Sequence, residues 1–170
     1  MTHQEVAREI AMHFEGCHLI SYVLKGETWA TVGWGRAIAM SMHPMHITQA
    51  QADAFLLEDI ARKDKDLDRE IVPAVLKKLT PLQRGAILSF RYNVKPAAWL
   101  PSTSRKLLNA GDIKGFTKRL KLWNQGEAGP LPGLMRRRKC ERFLLLGGSL
   151  EDLKKMNWFM NDYKTDTLGE

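Results

Sequence analysis

Residues 19 to 36 limit the fold of this chain more than any other stretch. They hold its concentrated run of Ile, Val, Tyr, Thr and Trp, interrupted by Lys25-Gly26-Glu27. β-branched and aromatic residues suit a pleated surface, and the interruption has the composition of a turn. A small antiparallel hairpin or three-stranded sheet is expected here. The rest reads as helix. Val6, Ala7, Ile10, Ala11 and Phe14 form an i, i+3/i+4 stripe that ends before Gly16. Thr48 and Gln51 have capping-box spacing and open a long helix whose apolar stripe continues through Phe55, Leu56, Ile60, Leu67 and Ile71 to Pro73. Thr80-Pro81-Leu82-Gln83 supplies a cap, a proline at the first helical position and a box partner. That helix is predicted to be buried and to run to about Val94. Shorter helices follow near 103–109, 113–123 and 134–146, and a weaker one near 150–160. The fold class is α+β, mostly helical: a small N-terminal sheet over about 19–36 and a helical lobe over about 48–160. All 170 residues are read as one domain.

Composition narrows the function. A chain with 44% hydrophobic and 26% charged residues buries an ordinary core without disulfides. Cys17 and Cys140 are read as free thiols. Glu5, Arg8 and Glu9 stand where a signal peptide needs an apolar run, and no stretch approaches the roughly 20 apolar residues that cross a bilayer. The expectation is accumulation in the cytoplasm until something else releases the protein. A net charge of +7 implies a polyanionic partner. The positive charge gathers between Arg105 and Arg142, opposed there by Asp112, Glu127 and Glu141. The expected basic surface therefore lies mostly in the C-terminal half, over Arg105 to Arg142, and includes the run Arg136-Arg137-Arg138-Lys139.

Glu15 is the first residue whose position suggests chemistry. It closes the first helix just before the sheet, where a helical face and a sheet meet. A carboxyl at a helix C-terminus, beside apolar groups, is disfavoured in its ionised form. A carboxylic acid kept protonated is what glycosidic cleavage requires for proton donation to the leaving oxygen. Taken alone, a single Glu-Gly pair reads as a surface residue in an unfavourable place.

The wider pattern is more specific. Phe14-Glu15-Gly16, then Tyr22, then Thr31-Val32-Gly33-Trp34-Gly35 resembles the opening of the phage T4-type lysozymes, a glycoside hydrolase family that includes many endolysins. Thr80-Pro81-Leu82-Gln83 followed by Ser89 to Val94 resembles the family's buried central helix. Ser102-Thr103, Leu107 to Asp112, Trp123-Asn124 and Pro132 to Glu141 resemble its later segments in the same order. The resemblance implies a lysozyme-like fold with a cleft between sheet and helical lobe. It implies cleavage of the β-1,4 bond between N-acetylmuramic acid and N-acetylglucosamine in bacterial peptidoglycan, with host lysis as the outcome. Glu15 falls on the family's general acid and Thr31 on the residue that helps hold the attacking water. Asn93 and Ser102 fall on the far wall of the saccharide groove. Tyr22 falls on an aromatic beneath the cleft. Trp29 and Trp34 are read as packing residues, with sugar stacking as the alternative.

One departure affects the mechanism. The family carries an Asp two residues after the Tyr; here that position is Leu24, which has no acid–base or ionic chemistry. Glu27 is the candidate replacement. The family's His after Gly-aromatic-Gly is Arg36, expected either to pair with an Asp of the long helix or to bind substrate. Three mechanisms remain: hydrolysis with Glu15 and a water held by Thr31, hydrolysis with Glu27 as base, and lytic transglycosylation, which needs Glu15 alone. No cofactor or metal is expected, since His43 and His46 lack a third ligand nearby. A monomer acting on glycan strands, held to the anionic envelope by its basic half, is the leading reading. The rivals are a catalytically weak wall-binding module and a basic helical nucleic-acid-binding protein. The second gives the Gly-Trp-Gly strand no role.

Overall fold

The computed structural model describes residues 1–126, 129–159 and 168. Glu127 and residue 160, which enter the expectations above, lie outside them. Helix α1 spans His3–Phe14, and strands β1, β2 and β3 span His18–Tyr22, Trp29–Gly33 and Arg36–Ala39. Then come α2 (Gln49–Glu70), α3 (Pro73–Leu76), α4 (Pro81–Asn93), α5 (Pro96–Trp99), α6 (Thr103–Asn109) and α7 (Ile113–Leu120). A two-residue ribbon, β4 (Gln125–Gly126) with β5 (Gly129–Pro130), precedes α8 (Pro132–Leu145) and α9 (Leu150–Lys155). The capping boxes at Thr48–Gln51 and Thr80–Gln83 form as the spacing predicts, and Thr2–Glu5 adds a third.

The sheet is antiparallel in the order β1-β2-β3 and runs to Ala39, beyond the expected limit at 36. The extension is held by pairing of Thr31 with Ala37 and of Trp29 with Ala39. Strand β1 is irregular: His18 pairs with Gly33 and Tyr22 with Thr31, so β1 holds two more residues than β2 over that interval. The extra residues are paired elsewhere. Ile47 N–H donates to Leu19 O at 2.9 Å, and Ser21 N–H donates to Met45 O at 2.9 Å. One face of the sheet, Ala30, Val32 and Ile38, packs with Ile47 and with Phe55 of α2. At 22 residues, α2 is roughly 33 Å long. It runs from the sheet, where Ala52 lies against Gly33, into the main core at Leu67.

Helix α4 is the centre of the helical lobe: Ala86, Ile87, Leu88 and Phe90 are fully buried. Phe90 meets Trp99, Phe116 and Trp123 edge-to-face at 5.7, 6.0 and 5.3 Å, a favoured arrangement of aromatic quadrupoles. Helix α1 lies directly on α4 because position 85 is glycine. A Cβ there would sit 2.5 Å from Val6 Cβ and 2.8 Å from the His3 carbonyl. The start of α1 thus rests on the start of α4, and their C-terminal ends arrive together.

The basic segment is the main correction to the sequence reading. Arg137, Arg138, Lys139 and Arg142 are buried, not displayed. Glu141, also fully buried, pairs with Arg137 at 3.3 Å and with Arg138 at 3.1 Å. Burial depresses the Arg138 guanidinium to about 10 despite that carboxylate. Lys139 lies 4.5 Å from the Phe159 ring centroid, and Arg142 donates to the Leu168 carbonyl. Between Arg105 and Arg142 the exposed cations among the described residues are Lys106, Lys114, Lys118, Arg119 and Lys121, on and around α6 and α7. Cys140 is buried and Cys17 half-buried, both as free thiols.

Candidate active site

The convergence of α1 and α4 creates the site. Glu15 is the C-cap of α1, with extended φ −92° and ψ 138° that turn the chain out of the helix. Asn93 is the last residue of α4. Two helix C-termini meet here with their partial negative charge, and α8 supplies the compensating cation. The Arg137 guanidinium donates through Nη1 to Glu15. It is fixed from behind by Nη2 to the Ser89 carbonyl at 3.1 Å and Nε to Glu141 at 3.3 Å. Ser89 Oγ donates to Glu141 at 2.8 Å. Glu15 was expected to sit among apolar groups; instead its carboxylate is oriented by a buried arginine. Its side chain remains 27% exposed, which leaves it open to a ligand.

Two hollows share Glu15 and Asn93. One, of about 330 Å³, is walled by Trp34, Gly35, Arg36 and Ala37 of the sheet and by Asp59, Arg62, Lys63 and Tyr92. The other, of about 310 Å³, is walled by Phe14, Leu131, Pro132, Gly133, Leu134 and Arg137. Together they form a cleft with Glu15 at its middle. Tyr92 ties its walls together by donating from Oη to the Trp34 carbonyl at 2.8 Å. Burial pushes this phenol up, with the Asp59 and Glu15 carboxylates adding to the effect.

The sequence candidates separate into three groups. Glu15, Asn93 and Arg36 line the cleft. Asn93 Oδ1 accepts from Arg138 at 3.0 Å, which leaves its amide N–H₂ for a ligand. Arg36 is committed to α2: it donates to Asp59 at 3.0 and 2.9 Å, to Glu58 at 2.9 Å and to the Phe55 carbonyl at 2.8 Å. Of its two expected roles, the ion pair is the one formed. Thr31 and Tyr22 line neither hollow; register puts them on the sheet face of Ala37. Thr31 is the cross-strand partner of both Ala37 and Tyr22, cross-strand partners share a face, and Ala37 lines the cleft. The His18 ring packs on Tyr22 at 4.6 Å.

Ser102 and Glu27 line neither hollow. Ser102 caps α6, its side chain accepting from Arg105 N–H at 3.1 Å, so its position is accounted for by the cap. Leu24 and Glu27 close a turn, Glu27 N–H donating to Leu24 O at 3.1 Å, with Leu24 exposed. Glu27 is half-buried, and its Oε2 is enclosed without a hydrogen-bond partner among the described residues. Sequence reasoning missed Tyr92, Asp59 and Lys63 as lining residues, and within the basic run the direct partner of Glu15 is Arg137. Four basic residues in a row gave no sign of which would turn inward. Among the described residues no three His, Cys, Asp or Glu side chains gather to hold a metal; His43 Nδ1 hydrogen-bonds Ser21 Oγ at 2.8 Å.

A small sheet and a helical lobe with a carboxyl at a helix end between them define a lysozyme-like fold. Known proteins share it. The muramidase domain of SpmX from Asticaccaulis excentricus superposes with a TM-score of 0.72 at 24% identity, covering 82% of this chain and 94% of that domain. An endolysin from Escherichia coli phage FAHEc1 gives a TM-score of 0.67 at 28% identity, covering 86% and 94%. An endolysin from Acyrthosiphon pisum secondary endosymbiont phage 1 is 38% identical over 136 residues, 77% of this chain and 88% of the relative. Residues 12–141 match the family model described as phage lysozyme, and the chain belongs to that family. It is an endolysin-type lysozyme, a peptidoglycan-cleaving hydrolase.

Proposed function

We propose that the chain hydrolyses the β-1,4 bond between N-acetylmuramic acid and N-acetylglucosamine, with Glu15 as general acid and Thr31 holding the attacking water. The observation that carries this is the half-open Glu15 carboxyl at the middle of the cleft, aimed by an arginine that is itself buried and fixed. Glu15 protonates the glycosidic oxygen as the bond to the anomeric carbon breaks. The water oxygen joins that carbon, and its surplus proton passes to solvent. Asn93 holds the saccharide on the far wall, and Tyr22 supports the sheet surface below it. One chain supplies both walls, so the site is complete in a monomer. Glu15→Gln keeps the shape and cannot deliver a proton. Lysis of permeabilised cells, followed by turbidity, is expected to fall at least about 10²-fold; lysis at the wild-type rate overturns the assignment.

A second reading is favoured by one observation. Besides Glu15, the acidic residue lining the cleft is Asp59, and it is paired with Arg36 and Arg62 at 2.9 and 2.8 Å. A site with one available carboxyl suits lytic transglycosylation. There Glu15 donates its proton, then accepts one from the sugar's own 6-hydroxyl as that oxygen closes a 1,6-anhydro ring. Glu27 as replacement base is the third option, and Glu27→Gln decides it: activity is expected to stay within a few-fold of wild type unless Glu27 is the base.

Attachment to the anionic envelope is assigned to Lys106, Lys114, Lys118, Arg119 and Lys121, and no nucleic acid is part of this function. No described helix is long and apolar enough to cross a membrane. We assign the protein to the host cytoplasm until the membrane is breached. In support, Val6, Ala7, Ile10 and Ala11 bury α1 in the core, where it must stay to present Glu15. Cell fractionation before lysis tests this.

A further inference from the structure

We propose that Trp29 and Lys95 form a saccharide subsite next to the catalytic position, one that recognises a sugar bearing a carboxylate on its side arm. The inference rests on the peptidoglycan reading above. It starts from Trp29, a large aromatic left 36% exposed on a short strand. Its cross-strand partner is Ala39, two pairs along from Thr31 and Ala37. Alternation along β2 puts Trp29 on the face of Thr31, the face whose Ala37 lines the cleft. Trp29 therefore extends the cleft floor by two residues, about 6.6 Å of strand, beyond the proposed water-holding position.

The opposite wall shows the same displacement. Lys95 lies two residues beyond Asn93, which lines the cleft beside Glu15. Its backbone is fixed as the N-cap of α5, its carbonyl accepting from Trp99 N–H at 3.1 Å, while its side chain is exposed. The Lys95 ammonium stands 5.7 Å from the centroid of the Trp29 ring. The two walls that hold Thr31 and Asn93 at the catalytic level thus hold an aromatic plane and a cation one step outward.

That pairing has a chemical preference. An indole face takes the apolar C–H face of a pyranose, and an ammonium takes a carboxylate. In peptidoglycan the muramyl sugar carries both, because the peptide on its lactyl arm bears free carboxylates. Without ligand the ammonium rests over the ring, a contact weak enough at an exposed site to be exchanged for the substrate.

The test uses the full-length chain and soluble glycan–peptide fragments in two forms, one with its peptide carboxylates free and one with them capped as methylamides. Lys95→Gln is expected to raise KM on the free-carboxylate substrate about two- to fivefold, the range of a single exposed ion pair. It should leave kcat unchanged and have no effect on the capped substrate. Lys95→Arg should restore KM, and Trp29→Ala should raise KM on both substrates. Lys95 is exposed, so its variants are expected to melt with wild type; Trp29 is 36% exposed, so Trp29→Ala loses covered apolar surface and is expected to melt lower. Lys95→Gln losing equally on both substrates or on neither, Trp29→Ala leaving KM unchanged on both, or a melting shift in Lys95→Gln that tracks its KM change would each overturn the subsite. Wild type inert on both substrates would instead overturn the peptidoglycan reading, and the subsite with it.

Discussion

Arg137 joins stability to the site, and replacing it with methionine separates the two. The side chain is 2% exposed and reaches Glu15, Glu141 and the Ser89 carbonyl. Methionine fills much of the same space but leaves the fully buried Glu141 without one of its two cations. Removing one partner of a buried ion pair typically costs about 3–5 kcal/mol, mostly through the charge left behind. Arg138 and Ser89 still serve Glu141, so the lower end applies, about 3 kcal/mol. For a chain of this length that lowers Tm by roughly 6–12 °C. The Glu15 arm contributes little to the loss: that carboxylate is partly exposed, and such pairs contribute about 1 kcal/mol or less. Thermal melts of Arg137→Met, Glu15→Gln and the double variant should therefore show a large effect of Arg137→Met that is nearly the same in both backgrounds. Activity should fall in Arg137→Met even at temperatures where it is fully folded, because Glu15 has lost its brace. A variant melting within about 2 °C of wild type would refute the reasoning, as would a coupling to Glu15 above about 2 kcal/mol.

Other outcomes follow from the same contacts. Burial raises Asp64 and Glu70, but hydrogen bonds from Gln4, Arg84 and His3 to Asp64, and from Arg91 and Trp99 to Glu70, outweigh it and hold both carboxyls below their usual range. Their stabilisation is therefore complete above about pH 5 and is lost as pH falls through the ordinary and then the depressed folded values; Asp64→Asn and Glu70→Gln should flatten the acid limb of Tm against pH. Ser102→Ala should cost about 1 kcal/mol as a lost cap and leave KM for glycan unchanged, and a raised KM would return Ser102 to the groove. Replacing Lys114, Lys118 and Arg119 with serine should weaken binding to sacculi at low salt and matter little at about 0.15 M, where the Debye length is roughly 8 Å; salt-independent pelleting would count against this surface.

Local signals in the sequence carried most of the fold. Capping boxes at Thr48 and Thr80 and the β-rich run around Tyr22 and Thr31 act within a few residues, so spacing reveals them. The convergence of Glu15 with Asn93 depends on Gly85 letting α1 touch α4, a contact that no local pattern encodes. The arginines of α8 were misread for a related reason. A basic run reads as solvated unless its buried counter-charge is known, and Glu141 is identified as that charge only once α8 packs against Ser89. Cross-strand register put Thr31 on the sheet face of Ala37, and Lys95 acquired a neighbour in Trp29 only when sheet and helical lobe were placed together.

The central claim is that Glu15 drives attack by water, and digestion of purified sacculi in heavy-oxygen water, followed by mass analysis of the released muropeptides, tests it most directly. Hydrolysis predicts reducing muramyl ends carrying one heavy oxygen, formed at least about 10²-fold more slowly by Glu15→Gln. Anhydro ends without the label would contradict attack by water and establish the sugar's own hydroxyl as the nucleophile. Labelled ends released at an undiminished rate by Glu15→Gln would contradict the role assigned to Glu15.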